Sequence, residues 1–274
     1  MRETEKYIVN MSIMSERENQ MILKDLKRQI ISVGMLLSLI AGLIMLGVGF
    51  YPEIKTYFIL GLLFEYDYLG MLMKGLTSGG FLVFTPIIVV LPGVMQFCDD
   101  YKYGYSRFII TRVSRKKFLI QRYIATIIAG GVACMLPLLV FSIGSIIFCD
   151  APENYSRVDY SVIYSGFASM WEGKAVMAHI CLYGFIFGCV WASVGMMFAV
   201  MIPNRYAALG FPVAVFCIAN IVCNVLEAYK FSPVNMLLVD IQESQGFVLA
   251  YQGSLLLVSM ILYLIVGNVR LKHA

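Results

Sequence analysis

Two histidines, His179 and His273, are all the imidazole chemistry available to this chain of 274 residues. Neither lies in an H-E-x-x-H pattern, the spacing that sets two imidazoles on one helix face for zinc. No G-x-S-x-G elbow is present to expose a nucleophilic serine. The stretch GFASMWEGKA, 166–175, places six residues between Gly166 and Gly173 where a phosphate loop has four, and Ala175 stands where a hydroxyl would meet magnesium. The seven cysteines (Cys98, Cys134, Cys149, Cys181, Cys189, Cys217 and Cys223) form no C-x-x-C pair and fall mostly in apolar runs. They read as small packing residues rather than ligands or a disulfide framework. The chain is therefore expected not to be an enzyme and to carry no metal, cofactor or nucleotide site of its own.

Polar chemistry concentrates in one stretch, Phe97–Tyr123. It holds seven of the 21 lysines and arginines: Lys102, Arg107, Arg112, Arg115, Lys116, Lys117 and Arg122. Asp99 and Asp100 open it. Read as a helix, the stretch puts Tyr101, Tyr105 and Phe108 on one face at i, i+4 and i+7. The two aspartates then stand near its start, where carboxylates are favoured by the helix dipole. An aromatic face rimmed by Arg112, Arg115, Lys116 and Lys117 suits docking to a soluble partner. Anionic lipid would account for the charges, though it has no need of three aromatics.

Elements that could carry such a loop are evident from composition. The chain is 60% hydrophobic and only 14% charged, with a mean hydropathy of +0.79, against roughly 25% charged residues in a soluble domain. A spanning helix needs roughly 20 apolar residues, and six charge-free windows reach that length: 29–52, 75–98, 123–149, 175–204, 206–226 and 244–269. Arg205, in IPNRY, separates the fourth and fifth as a tight turn. The reading is an all-α integral membrane protein with six transmembrane helices: a segment 1–28, then a helical domain 29–274 with the polar loop at 98–122. Within 1–28, Ser15–Ile30 reads as an amphipathic helix, either lying in the interface or extending the first span into the cytoplasm. Ser15 and Glu18 have capping-box spacing, and Ile22, Leu23, Leu26 and Ile30 form an apolar face.

Basic residues orient the spans. With the N-terminus in the cytoplasm, 16 of the 21 lysines and arginines fall on the inner side and five (Lys55, Lys74, Arg157, Lys174 and Lys230) on the outer. This predicts both termini in the cytoplasm of a multi-pass protein of the cell membrane. The formal net charge of +4 fits loops against anionic lipid and not a nucleic-acid footprint. No window contains an ionisable Asp, Glu, Lys or Arg, which disfavours an ion-coupled secondary carrier.

Smaller signals refine the picture. The apolar outer segment 53–74 reads as interfacial or partly re-entrant, and Ser232-Pro233 as the start of a short helix. Pro86, Pro92, Pro137 and Pro212 fall inside windows and suit a protein that changes shape. Gly184, Gly188, Ala192 and Gly195, followed by Ala199, make a stripe of small residues on which two helices can approach closely, within the chain or between subunits.

These features together resemble the membrane subunits of type-2 ABC exporters. That family has an amphipathic cytoplasmic helix before six spans, and a loop between the second and third with an acidic residue, a glycine about four positions on, and a Ser-Arg near the return. Asp100, Gly104 and Ser114-Arg115 stand here in that order, and Ser232-Pro233 falls where the family has short re-entrant helices. Asp replaces the commoner Glu, and Gln121-Arg122 stands where Gly-Lys is often seen. The resemblance implies a permease subunit paired with a second one and driven by separate ATPase subunits, which would hold ATP and magnesium. Asp99, Asp100, Tyr101, Gly104, Tyr105, Phe108, Arg112 and Arg115 would then form the coupling loop. The other readings are a membrane scaffold or immunity-type protein that transports nothing, or a secondary carrier.

Overall fold

The computed structural model describes residues 22–60, 68–104, 114–149, 173–238 and 245–270, and every regular element among them is helical. A short helix α1 (22–30) precedes α2 (Val33–Leu60), α3 (Tyr68–Ser78), α4 (Phe81–Val90) and α5 (Val94–Lys102). Then follow α6 (Arg115–Phe148), α7 (Gly173–Met201), α8 (Arg205–Val225), α9 (Pro233–Leu238) and α10 (Gln245–Arg270). Six stretches are long and apolar enough to cross a bilayer: Val33–Pro52, Phe81–Lys102, Arg115–Phe148, Val176–Met201, Arg205–Val225 and Gly246–Arg270. The chain is an all-helical protein with six membrane-crossing helices.

The second span starts later than its charge-free window. Gly79 and Gly80 break the chain between α3 and α4, because a Cβ at Gly79 would overlap the carbonyl oxygen of Met45 and Gly80 has φ 75°. Both positions suit glycine, one by close approach and one by handedness. Residues 75–78 therefore belong to α3, whose Tyr68, Leu69, Leu72 and Leu76 are buried. This helix stands beside the C-terminal parts of α2 and α6: Gly75 faces the ring of Phe141, and the Cys149 thiol lies 3.4 Å from the Met71 sulfur. Of the apolar segment 53–74, the first part continues α2 past Pro52, the last part begins α3, and 61–67 lie outside the described residues. Residues 150–172, expected on the outer side, and most of the expected Ser15–Ile30 helix also lie outside them.

Helix α6 has 34 residues, about 50 Å at 1.5 Å per residue, so its ends project beyond a hydrocarbon core of about 30 Å. It crosses α7 at a glycine-on-glycine contact. A Cβ on Gly188 would stand 2.6 Å from the Gly130 oxygen and 3.0 Å from the Gly131 Cα. Gly184 faces Leu138, Ala192 is buried against Gly130, and Gly195 faces Val90 of α4. The small stripe is thus spent on packing inside the chain, against α6 and α4. A hydroxyl chain adds polar cohesion: Tyr123 Oη pairs with Ser193 Oγ at 2.5 Å, and Ser193 with Ser259, joining α6, α7 and α10. Tyr123 also stacks on the buried Tyr263, with ring centroids 5.1 Å apart.

Enclosure falls mainly on α4 and α7. The outward faces of α2, α8 and α10 are broadly apolar, with Leu36, Ile40 and Ile44, Ile218 and Ile221, and Leu257, Ile261 and Ile265 exposed. A bilayer covers such faces at no cost, where water would not. The expected turn at Arg205 forms, with Asn204 Oδ1 accepting from the Tyr206 N–H at 2.9 Å to cap α8. The expected short helix begins at Pro233, a position where the missing N–H is not needed. Ser232 donates to Asn220 Oδ1 at 2.5 Å and ties this helix to α8.

Candidate functional site: an ion-pair belt at one end of the bundle

Helix α5 brings the charged residues together. A break at residues 91–93, around Pro92, separates it from α4. Gly93 is required there, since a Cβ would lie 2.6 Å from Thr126 Cγ2 and 2.7 Å from Gln29 Oε1. The helix ends at Lys102, the Tyr103 N–H bonds the Asp99 carbonyl at 2.9 Å, and Gly104 turns left-handed at φ 72°.

This placement corrects the sequence reading of Asp99 and Asp100. They occupy the last turn of α5, not the first turn of a loop helix. Carboxylates there oppose the helix dipole, and arginines from three other elements compensate. A single oxygen of Asp100, Oδ2, accepts from Arg28 of α1 and from Arg122 of α6, each at 2.5 Å. Arg122 also reaches Asp25 of α1 at 3.3 Å. Asp99 pairs with Arg205, the first residue of α8. Arg270, at the end of α10, donates to the Val200 and Met201 carbonyls at 2.6 and 2.5 Å. It thereby caps α7, and it lies over the Tyr101 ring at 5.5 Å.

Arg122 is the anchor of the belt. Its side chain is only 2% exposed, against 18% for Asp100, and its Nε has no hydrogen-bond partner among the described residues. A guanidinium so enclosed is tolerable only with carboxylates in contact. The sequence reading had found no charge inside the windows, yet α6 begins at Arg115 and carries Arg122 into the buried junction. Helix α1 is fastened at the same place. Gln29 Nε2 donates to Thr126 Oγ1 at 3.2 Å, Gln96 Nε2 to the Arg28 carbonyl at 3.4 Å, and Leu26 packs on a small cluster of Met35, Ala129 and Ala133.

No family model matches this chain, and neither a curated protein nor a solved structure matches it.

Of the residues expected in the coupling loop, Asp99, Asp100 and Tyr101 meet in the belt, and Gly104 forms the turn that leaves it. Arg115 is exposed in the first turn of α6, and Tyr105, Phe108 and Arg112 lie outside the described residues. The expected helix through Tyr101, Tyr105 and Phe108 is not continuous, because α5 stops at Lys102. Tyr101 instead turns back to a shallow apolar crevice lined by Phe97, Leu119, Val200 and Gly267. Asp25, Arg28, Arg122, Arg205 and Arg270 were not anticipated as a group. Arg28, Arg122, Arg205 and Arg270 each border a charge-free window, and that was the available signal.

Among the described residues no group of His, Cys, Asp or Glu could hold a metal ion. His179 lies against Tyr183, with ring centroids 4.4 Å apart and the planes tilted by 45°, far along α7 from the belt. Asp99 and Asp100 hold the free end of α5 to three other helices through ion pairs, and the chain leaves that end directly into the basic segment 105–113.

Proposed function

We propose that this protein is the permease subunit of an ATP-driven exporter of the type-2 ABC kind. It would pair with a second permease subunit, and separate ATPase subunits would bind at the belt end, in the cytoplasm of a cell whose plasma membrane holds the complex. The observation that carries this reading is the belt. A short helix beyond a proline break ends in two aspartates clamped by Arg28, Arg122 and Arg205, and delivers the basic, aromatic segment after Gly104 to one end of six spans. A force applied to that segment by a closing ATPase pair would reach the ends of α1, α6 and α8 through these pairs. Such a device couples two sites by biasing two arrangements of packed helices. The chain's own residues supply positioning and transmission, while ATP and magnesium would belong to the partner.

The test is purification of the full chain from its native membrane after mild cross-linking. The proposal expects an ATP-binding cassette subunit to be retained in stoichiometric amount. Recovery of the chain with no ATPase, from cells growing under several conditions, would favour a scaffold that transports nothing.

A further inference from the structure

Helix α1 presents three faces. At 100° per residue, Ile22, Asp25, Leu26 and Gln29 share the face turned to the bundle. Leu23 and Ile30 sit side by side on the next edge, and Lys27, Lys24 and Arg28 complete the circuit. The sequence pattern grouped Ile22, Leu23, Leu26 and Ile30 as one apolar face, but the structure divides them. Ile22 and Leu26 are half-buried, whereas Leu23 is 62% exposed and Ile30 is exposed. This outward edge continues through Ile31 and Val33, both more than 70% exposed, into Leu36, Leu37 and Ile40 of α2. That is the bilayer-facing surface of the first span.

An edge continuous with that surface lies against acyl chains, which brings the next side chains around α1 to the height of the lipid headgroups. Those are Lys24 and Lys27, three residues apart and both exposed. Arg28 is engaged by Asp100, but neither lysine has an ion-pair partner among the described residues. Two ammonium groups with no ion-pair partner among the described residues, beside an acyl-facing edge, match one occupant, a lipid whose phosphodiester headgroup carries net negative charge. An acidic protein surface would satisfy the lysines but would have no use for Leu23 and Ile30.

We infer that α1 binds an anionic phospholipid through Lys24 and Lys27, with Leu23 and Ile30 against its chains. The lipid then completes the clasp that Asp25 and Gln29 form on the face turned to the bundle, with Arg28 between the two on Asp100. It holds α1 on the ends of α5 and α6 from outside, while Arg122, Asp100 and Thr126 hold it from within.

The experiment uses the full chain in neutral detergent with mixed phosphatidylglycerol and phosphatidylcholine, and counts retained lipid by native mass spectrometry. Wild type should retain phosphatidylglycerol preferentially. The Lys24→Gln, Lys27→Gln variant should lose that preference on the order of 30-fold, from two basic residues near a lipid surface, while Lys24→Arg, Lys27→Arg keeps it. Wild type retaining the two lipids equally would overturn the inference without any variant. So would a Gln variant with the wild-type preference. A third overturning result is loss of preference in the Arg variant, since charge would then not be the cause.

Discussion

Replacing Gly188 by alanine adds one methyl group at the closest helix crossing, and its cost follows from what that methyl meets. It would stand 2.6 Å from the Gly130 oxygen, 2.8 Å from Cys134 Cβ and 3.0 Å from the Gly131 Cα. All three are backbone atoms or the first atom of a side chain, so none can swing aside, and the whole α6–α7 crossing must open. Overpacking of this kind costs about 1–3 kcal/mol, and the rigid surroundings place Gly188→Ala at the upper end, about 3 kcal/mol. At about 2–4 °C per kcal/mol for a chain of this size, the unfolding midpoint should fall by about 6–12 °C. Gly184→Ala is the matched comparison. Its methyl would meet Leu138 Cδ1 at 2.5 Å, the far end of a flexible side chain, and nothing else closer than 3.8 Å, so its cost should be about 1 kcal/mol. Gly47→Ala, with nothing within 4 Å, should be neutral or stabilising, since alanine is the better helix former. The assay is thermal unfolding of the purified chain in micelles. Equal midpoints for Gly188→Ala and Gly47→Ala would refute the packing argument and show that this face of α7 meets no helix.

Two further substitutions probe other parts of the structure by the same assay. Arg122→Met removes the enclosed guanidinium and leaves Asp100 with Arg28 alone. Breaking a buried pair costs about 3–5 kcal/mol, and the partial exposure of Asp100 and Asp25 reduces this to about 2 kcal/mol, part of which Asp100→Asn should restore in the double variant. Full wild-type stability in Arg122→Met would show that the belt does not depend on its anchor. Glu227, exposed after α8, has φ 55°, so Glu227→Gly should stabilise by roughly 1 kcal/mol by relieving a left-handed residue. A loss of stability would contradict that turn.

Much of this architecture is legible in the residue pattern because a bilayer demands length and apolarity, which composition reports directly. The limits of the spans are less so. A charge-free window cannot register the Gly79-Gly80 turn, where close approach to Met45 rather than polarity ends a helix. It also stops at Arg122, although α6 runs on through that residue to Arg115, because a charge can sit inside a helix bundle when its partners arrive from elsewhere. The belt is the clearest case. Arg28, Arg122, Arg205 and Arg270 each mark the edge of a window and were informative as markers of one side, but their partners lie far along the chain: Asp100 from Arg28 by 72 positions, Asp99 from Arg205 by 106. Only the fold brings them together. The aspartates were misplaced for a local reason. Without knowing that Gly104 adopts φ 72°, the same residues read equally well as the start of a helix or as its end.

The central claim, that the segment leaving the belt transmits force from an ATPase, is tested most directly by the ATPase rate of the reconstituted complex. Tyr105→Ala with Phe108→Ala should weaken ATPase retention or uncouple hydrolysis from transport, since truncating a buried interface aromatic costs on the order of 2 kcal/mol or more. Charge reversal at Arg112 and Arg115 is measured beside it, because a segment serving only to touch anionic lipid would respond to the reversals and not to the aromatic changes. The account predicts loss of coupling in the aromatic double variant with membrane insertion intact. Normal ATPase retention and normal coupling in that variant would contradict it.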